Sequence, residues 1–342
     1  MVSRFGRALV FIALLGFAVA AVVSCAGQSA SLSTDKTTAP KKEYTINIGY
    51  FPVPDYLPYL VMKEKGFDKE FGVKFQETSF NGGAEVVEAM LAGSVDVGYV
   101  GTVPAITAAE RGLSPDKIIS VAADAFADPQ HLHLTLFVNK SINAAKDLEG
   151  KTIAVPVRNS IQAAAVAGYL KKEGVNKFDL TEIPIPNMGM TVAKGDVAGA
   201  VLSEPFVTQS LGRGDGKVLA WISGGYPFEH FQVTFITFST KFLKSNPDAV
   251  KAYLRAHLKA VKWINENIDE ARTLFSKYQK VDAEIAKKMN LLSYPLDPHS
   301  NPKLLEDTVK VLLDNGIIKK PVAVNQMVDE SLLDAVLKEE KR

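Results

Sequence analysis

Cysteine is almost missing from this sequence, with one in 342 residues. A lone thiol excludes an intrachain disulfide, a CxxC redox pair and a multi-cysteine zinc site. Histidine is scarce as well. Of five, only His131 and His133 stand close together, and no third ligand lies near them, so no metal is expected. An excess of either charge is also lacking. Lys+Arg is 39 and Asp+Glu is 38, a net of +1, whereas a nucleic-acid binder normally shows a basic total or a basic face. There is no GxSxG, no Walker loop, no HExxH, and no GxGxxG in a strand-to-helix setting. No cofactor and no catalytic residue are expected from these absences.

What is present supports a folded body. Hydrophobic residues make up 47% and charged residues 23%, enough for a packed core. At roughly 100–200 residues per domain, the length suggests two lobes or one large domain.

The start reads as an address. Arg4 and Arg7 precede a charge-free run of 17 residues, 8–24, that ends in small residues. A membrane span takes about 20 apolar residues, so the run suits a secretory signal better. It ends Val22-Val23-Ser24-Cys25, and Cys25 is the sole cysteine. This resembles a bacterial lipobox, in which cleavage before the cysteine leaves it lipidated at the new N-terminus. The alternatives are an ordinary signal peptide or an uncleaved anchor with a free thiol. Removing residues 1–24 takes away two arginines and no acid, so a net of +1 becomes −1. Residues 25–43, rich in Ser, Thr, Ala and Lys, read as a flexible tether.

Beyond the tether, β-rich runs alternate with helical patterns. Strands are expected at 44–50, 73–79, 95–100 and 118–123, with helices at 58–65, 83–92 and 104–111 between them. The grammar restarts with strands at 132–138, 151–155, 180–185, 197–202, 218–222 and 232–238. Helices are expected at 160–173, at 188–194 and up to about 211. Such alternation implies mainly parallel sheets covered by helices. From residue 247 the chain reads as almost all helix, at 247–267, 283–292, 303–315 and 330–339. Asp248, Asp269 and Asp329 stand near helix starts, where a carboxylate suits the dipole. Residues 92–102 and 194–204 echo each other: a helix end, a Gly, a short strand, a polar residue (Thr102, Glu204), then Pro104 or Pro205.

In open α/β sheets ligands sit beyond the carboxyl ends of strands. The residues there are Phe51 to Tyr56, Phe80 to Gly83, Gly101 and Thr102. The second half offers Arg158, Asn159, Ser160, Gln162, Asn187, Ser203 and Glu204. Asn81-Gly82-Gly83 entering a helix, and Asn159-Ser160 at another helix start, can present backbone N–H groups to a ligand. Ordinary N-capping explains either site equally well. Phe51, Tyr56, Tyr99, Phe126, Phe206, Tyr226 and Phe228 gather in the same turns and divide between core and pocket. The pair His131-x-His133 reads as structural or as part of a hinge. Asp124 and Asp128 flank a loop that is either a cleft loop or a solvated turn. The Gly212–Gly216 run reads as a surface turn.

Five strings carry a resemblance. They are GYFPVPDYLPYLVMKEKGF (49–67), GGAEVVEAMLAGSVDVGYVGTVPAITAAERG (82–112), DLEGKTIAVPVRNS (147–160), VLSEPF (201–206) and TKFLKSNPDAVKAYLRAHLKAVKWI (240–264). In this order they resemble solute-binding proteins of the nitrate/sulfonate/taurine importer group, over about residues 44–340. The resemblance implies a two-lobed, type II periplasmic-binding-protein α/β fold, each lobe a mainly parallel sheet flanked by helices. Lobe 1 would comprise 44–135 plus 231–342 and lobe 2 136–230, with a hinge of two crossings near 132–138 and 228–238. It also implies a lipid-anchored, monomeric, extracytoplasmic receptor, held at the membrane, that delivers a small molecule to a permease and its ATPase subunits. Position by position, Asn81, Gly82 and Gly83 match the group's first ligand turn, Thr102 the polar residue after the third strand, and Asn159 and Ser160 the second helix start. Glu204 matches the acid of a Trp-Glu-Pro segment, although here Ser203 replaces the Trp. The expected ligand set is therefore Phe51, Tyr56, Asn81, Gly82, Gly83, Thr102, Arg158, Asn159, Ser160 and Glu204. Arg158 is the one nearby cation, and the ligand is a sulfonate, taurine or nitrate, or else a heterocycle such as a thiamin pyrimidine precursor or riboflavin. The superfamily's pyrimidine-synthesising enzymes rely on a cysteine cluster that this composition lacks. An enzyme of another kind would use Glu204 with His131 or His133.

Overall fold

The computed structural model describes residues 42–340, apart from 52, 81, 82, 159 and 280. The expected lipidation site, Cys25, lies outside the described residues, as do the signal and nearly all of the tether. β1 (Tyr44–Tyr50) leads through a short 3-10 turn, Pro54–Tyr56, to α1 (Leu57–Glu64) and the one-turn α2 (Phe67–Glu70). Then follow β2 (Val73–Ser79), α3 (Gly83–Leu91), β3 (Val97–Gly101), α4 (Thr102–Glu110) and β4 (Ile118–Ala127). The second series is β5 (Thr135–Val138), β6 (Lys151–Val155), α5 (Ile161–Lys172), β7 (Phe178–Glu182), α6 (Ile185–Lys194), β8 (Gly199–Leu202), α7 (Phe206–Arg213) and β9 (Lys217–Trp221). The chain closes with β10 (Phe231–Ser239), α8 (Thr240–Ser245), α9 (Pro247–Glu266), α10 (Ile268–Gln279), α11 (Ala283–Lys288), α12 (Pro302–Asp314) and α13 (Ser331–Glu340).

The strands form two sheets of the same design, and the protein is a two-lobed α/β fold. One sheet has the order β2-β1-β3-β10-β4 and the other β7-β6-β8-β5-β9. In each, three strands run parallel, the fourth is antiparallel, and the fifth pairs antiparallel with the fourth. The echoed segments 92–102 and 194–204 supply β3 and β8, which hold equivalent central places.

Topology fixes how the lobes meet. β4 and β9 each run parallel to the three parallel strands of their own sheet. Their carboxyl ends feed the two crossings, 128–134 and 222–230, which enter β5 and β10. Both crossings therefore join the carboxyl edges of the two sheets and turn those edges towards each other. The crossings lie side by side: Ile222 N donates to Leu134 O at 2.8 Å and His133 N to Ser223 O at 3.0 Å. Gly224 makes this approach possible. Its φ is +81°, and a Cβ there would stand 2.5 Å from Asp128 O, a clash no side chain relieves.

Local sequence explains most elements. In β1, Ile46 and Ile48 are fully buried because alternate residues face the same side of a strand. α9 buries Val250, Tyr253, Leu254, His257, Val261 and Ile264 along one stripe, the spacing of an amphipathic helix. Asn246 precedes it and Pro247 opens it, where the missing N–H costs nothing. Against β3, α3 sits so close that a Cβ on Gly98 would fall 2.5 Å from Val86 Cγ1. Among the described residues no helix is long and apolar enough to cross a membrane.

Four points of this reading need adjustment. The strand expected at 180–185 lies at Phe178–Glu182, in register with β6, since Pro184 cannot donate to a ladder. The helix expected at 283–292 stops at Lys288. Met289 is extended, and Leu291 and Leu292 are buried instead as irregular chain. The short α8 and the separate α10 are not evident in the hydrophobic pattern; Asn267 breaks the run between α9 and α10. The Gly212–Gly216 run is more than a surface turn, because Gly216 packs on β5: a Cβ would lie 2.3 Å from Val138 O.

Candidate ligand-binding site

The facing carboxyl edges bring most of the expected residues to one region. On lobe 1, Gly83 begins α3 against the Phe51 ring: a Cβ there would lie 3.6 Å from it. Phe51 is partly buried and packs edge-on to Tyr56, with ring centroids 5.0 Å apart. On lobe 2, Ser160 caps α5, its Oγ accepting from Ala163 N at 3.3 Å and donating to Val157 O at 2.5 Å. Arg158 is exposed, and its backbone N donates to Glu182 Oε1 at 2.8 Å. Val157 beside it is 53% exposed. Ile161, the first residue of α5, packs against apolar clusters that include lobe 1 residues. Asn81, Gly82 and Asn159 lie outside the described residues.

Three expected contacts are placed differently. Tyr56 has no exposed surface, and its hydroxyl donates to Tyr99 O at 3.1 Å. Thr102 is 1% exposed, with Oγ1 donating to Gln232 O at 2.5 Å. Glu204 is 3% exposed. Its Oε1 accepts from Asn290 N at 3.0 Å and from Thr208 Oγ1 at 2.9 Å, and its Oε2 from Thr208 N at 3.1 Å. The polar atoms of these residues are committed to the protein, so in this arrangement they frame the site rather than face a guest. Burial pushes the Glu204 carboxyl above its ordinary range, opposed by those three donors. Its bond to Asn290 also ties lobe 2 to the chain following α11.

Under the lobe 1 edge lies a buried polar cluster that the sequence pattern does not reveal. Tyr99 and Tyr253 meet through their hydroxyls at 3.0 Å. Asp124 on β4 and His257 on α9 are both fully buried, with Nε2 3.7 Å from Oδ1. No described group hydrogen-bonds either side chain. Burial, reinforced by the charge of Asp55, pushes the Asp124 carboxyl well up. Burial holds the His257 imidazole down at about 3. Both shifts favour the uncharged forms, a protonated carboxyl and a neutral imidazole. Asp124 is thus a core residue of β4, neither a cleft loop nor a solvated turn: ten successive residues of that strand include only one that is not buried.

Asp55 follows β1 but reaches sideways. Its Oδ1 accepts the hydroxyl of Thr234, which lies opposite Gly101, the last residue of β3. The carboxylate thus lies across the ends of β1, β3 and β10. Tyr294 Oη donates to Pro54 O at 2.7 Å and braces the turn from behind.

Among the described residues no hydrogen bond joins Glu204 to His131 or His133. His131 Nδ1 lies 2.9 Å from the carboxylate of Asp128, which also caps the backbone N–H groups of Gln130 and His131. Burial opposes ionisation of Asp128, but His131 and these N–H groups hold its carboxyl below the usual range. His133 is held down by burial, with Asp55 pulling the other way. Among the described residues no group of three His, Cys, Asp or Glu side chains is arranged to hold a metal. The aromatics divide as follows: Tyr56, Tyr99 and Phe228 are buried, Phe51, Phe126 and Phe206 partly so, and Tyr226 is 47% exposed with Lys172 Nζ 3.9 Å from its centroid.

A cavity of about 450 Å³ lined by Met90, Asp96, Lys117 and Lys241, among others, lies at the opposite, amino edge of the lobe 1 sheet. It is remote from the strand ends where ligands of open α/β sheets bind.

A family model for NMT1-like proteins matches residues 39–277. A putative aliphatic sulfonates-binding protein of Bacillus subtilis (strain 168) is 26% identical over 292 residues, covering 82% of this chain and 85% of the relative. The taurine-binding periplasmic protein of Escherichia coli (strain K12) is 28% identical over 198 residues, covering 57% of this chain and 58% of its own length. The structure also resembles the periplasmic aliphatic sulphonate binding protein SsuA from Escherichia coli, with a TM-score of 0.67 at 18% identity, over 85% of this chain and 92% of that one. At that identity the structural likeness speaks for the fold alone.

Proposed function

The chain belongs to the NMT1-like family, and on that premise we propose that it is the extracytoplasmic solute-binding component of an ABC importer. It captures a small organic solute or anion of the sulfonate, taurine or nitrate kind between its lobes and delivers it to a permease driven by ATPase subunits. The observation that carries this reading is the pair of matched sheets whose carboxyl edges are turned towards each other across two crossings. A site built between such edges closes by hinge motion, which excludes water and releases the guest on opening. Residues 44–135 and 231–342 form one jaw and 136–230 the other. Phe51, Gly83, Arg158 and Ser160 line the cleft, while Tyr56, Thr102 and Glu204 support it; Asn81, Gly82 and Asn159, outside the described residues, complete the proposed ligand set. The protein binds without turnover: Glu204 is occupied by Thr208 and Asn290, and His131 by Asp128, so the carboxylate that either pairing would need is already committed to the protein. The chain acts as a monomer, held at the membrane by lipid on Cys25.

The test is ligand-dependent fluorescence with a panel of alkanesulfonates, taurine, nitrate, pyrimidines and flavins. Trp221, the last residue of β9 before the second crossing, reports the hinge. Saturable binding with a change in emission is expected, and silence across the panel would sink the reading. Cys25→Ser should move the expressed protein from the membrane fraction to the soluble one; continued membrane association rules out the lipid anchor. A heterocyclic guest is the second reading, favoured by the Phe51 face beside Gly83 and by the exposed ring of Tyr226 near the crossings.

A further inference from the structure

Asp55 is a carboxylate in an unusual place for a receptor of simple anions. It projects from the turn after β1, passes over the end of β3, and is fixed by the hydroxyl of Thr234 on β10. This is the carboxyl edge that faces lobe 2. Thr234 occupies Oδ1, and no described group donates to Oδ2. No described lysine or arginine pairs with Asp55. His133, which feels the charge of Asp55, is held towards its neutral form by burial. Its charge adds to the burial that raises Tyr56, Asp124 and Tyr294. The other carboxylate of the region, Glu204, is already satisfied by three donors. The exposed cation, Arg158, stands on the opposite lobe.

We propose that Asp55 is the recognition group for a positively charged, hydrogen-bond-donating end of the ligand, a protonated amine. The inference rests on the cleft being the ligand site, and it narrows the class of guest. A buried-edge carboxylate with a free oxygen and no cation repels a plain anion placed against it and rewards an ammonium group with a charge-assisted hydrogen bond. Thr234 keeps the carboxylate from turning away, so the geometry exists before the ligand arrives. An anionic or polar far end of the same molecule would extend towards Arg158 and the start of α5. Nitrate and alkanesulfonates without an amine are therefore poor guests.

The experiment uses the full mature chain and two matched pairs of probes. One pair is 2-aminoethanesulfonate and ethanesulfonate. The other is 4-amino-5-aminomethyl-2-methylpyrimidine and the same ring carrying methyl in place of aminomethyl. In each pair that binds, calorimetry should show the amine bound about tenfold to a hundredfold more tightly, the worth of a hydrogen bond to a charged group. Asp55→Asn, which retains an acceptor for Thr234, should collapse that ratio to about one. If the amine and its matched analogue bind wild type equally well, the inference falls while the receptor reading stands, and this comparison does not depend on the variant folding. If a pair binds with the expected preference but Asp55→Asn preserves it, another group reads the amine and the inference also falls. If neither pair binds and the wider panel is silent too, the receptor reading itself fails and takes the inference with it.

Discussion

The two sheets share one strand order and differ in what they bury. Lobe 1 places Tyr56, Tyr99, Asp124, Tyr253 and His257 beneath its carboxyl edge, all with 1% or less of their surface exposed. Lobe 2 has no such layer: β9 is only half-buried along its whole length, and β7 has no fully buried residue. The five helices α9 to α13 are added after β10. They thicken the lobe that already has the longer strands, and α9 supplies both Tyr253 and His257. The same topology thus yields one half with a buried polar floor and a thinner half built without one among the described residues. The difference teaches that strand order decides where the binding edge lies. What is buried beneath that edge decides which half fixes the geometry of the site.

The largest test of this contrast is pH. Burial in lobe 1 favours a single proton on the folded Asp124–His257 pair, held by Asp124. The unfolded chain also holds one between about pH 4 and 6.5, on the histidine, so the pair adds no slope there. Above about 6.5 the unfolded histidine loses its proton, and over the range in which folded Asp124 still holds its own, stability falls as pH rises. Asp124→Asn should abolish that alkaline loss, measured by urea unfolding. It should also expose a fall in stability as pH drops from about 6.5 towards the depressed value of about 3 for His257. Each slope is at most about 1.4 kcal/mol per pH unit. Unchanged profiles in the variant would mean that the pair does not titrate in this way.

Next in size is the matched pair of strand-end residues. Glu204→Ala strands the donors of Thr208 and Asn290 and should cost about 2–3 kcal/mol, with the ligand-free lobes more open by small-angle scattering. Gly98→Ala writes into lobe 1 the residue that lobe 2 carries at the equivalent Ala200. Because Val86 crowds the position in lobe 1 alone, it should cost about 1–3 kcal/mol by overpacking. A neutral result would show that α3 yields readily. Smallest is Thr102→Val, which removes one hydroxyl bond to Gln232 O and should cost about 1 kcal/mol. A loss as large as that of Glu204→Ala would break the asymmetry between the lobes.

Much of the fold was legible because its signals are local. The alternating apolar residues of β1, the Pro247 start of α9 and the 92–102/194–204 echo all act within a few neighbours, and each appears in the structure near its expected position. Parts of the site were legible for the same reason: Ser160 is a helix cap in sequence and in space. Glu204 and Thr102 were recognisable as strand-end polar residues, but not as buried ones. Their partners, Asn290 and Gln232, lie 86 and 130 residues away, and no periodicity signals them. Asp55 stood in the right segment, yet only its reach to Thr234, 179 residues on, singles it out from an ordinary turn aspartate.

The sequence by itself determined most of the stretches that become strand or helix, that no intrachain disulfide or multi-cysteine metal site can form, and that the strand ends are where polar and glycine residues collect. These follow from side-chain pattern and backbone freedom, which act over a few residues. Only the tertiary structure decided which of those polar residues are spent on the protein and which remain free to meet a guest. That choice depends on groups far apart in the chain competing for the same carbonyls and carboxylates, and on how much water the packed lobes leave around each charge.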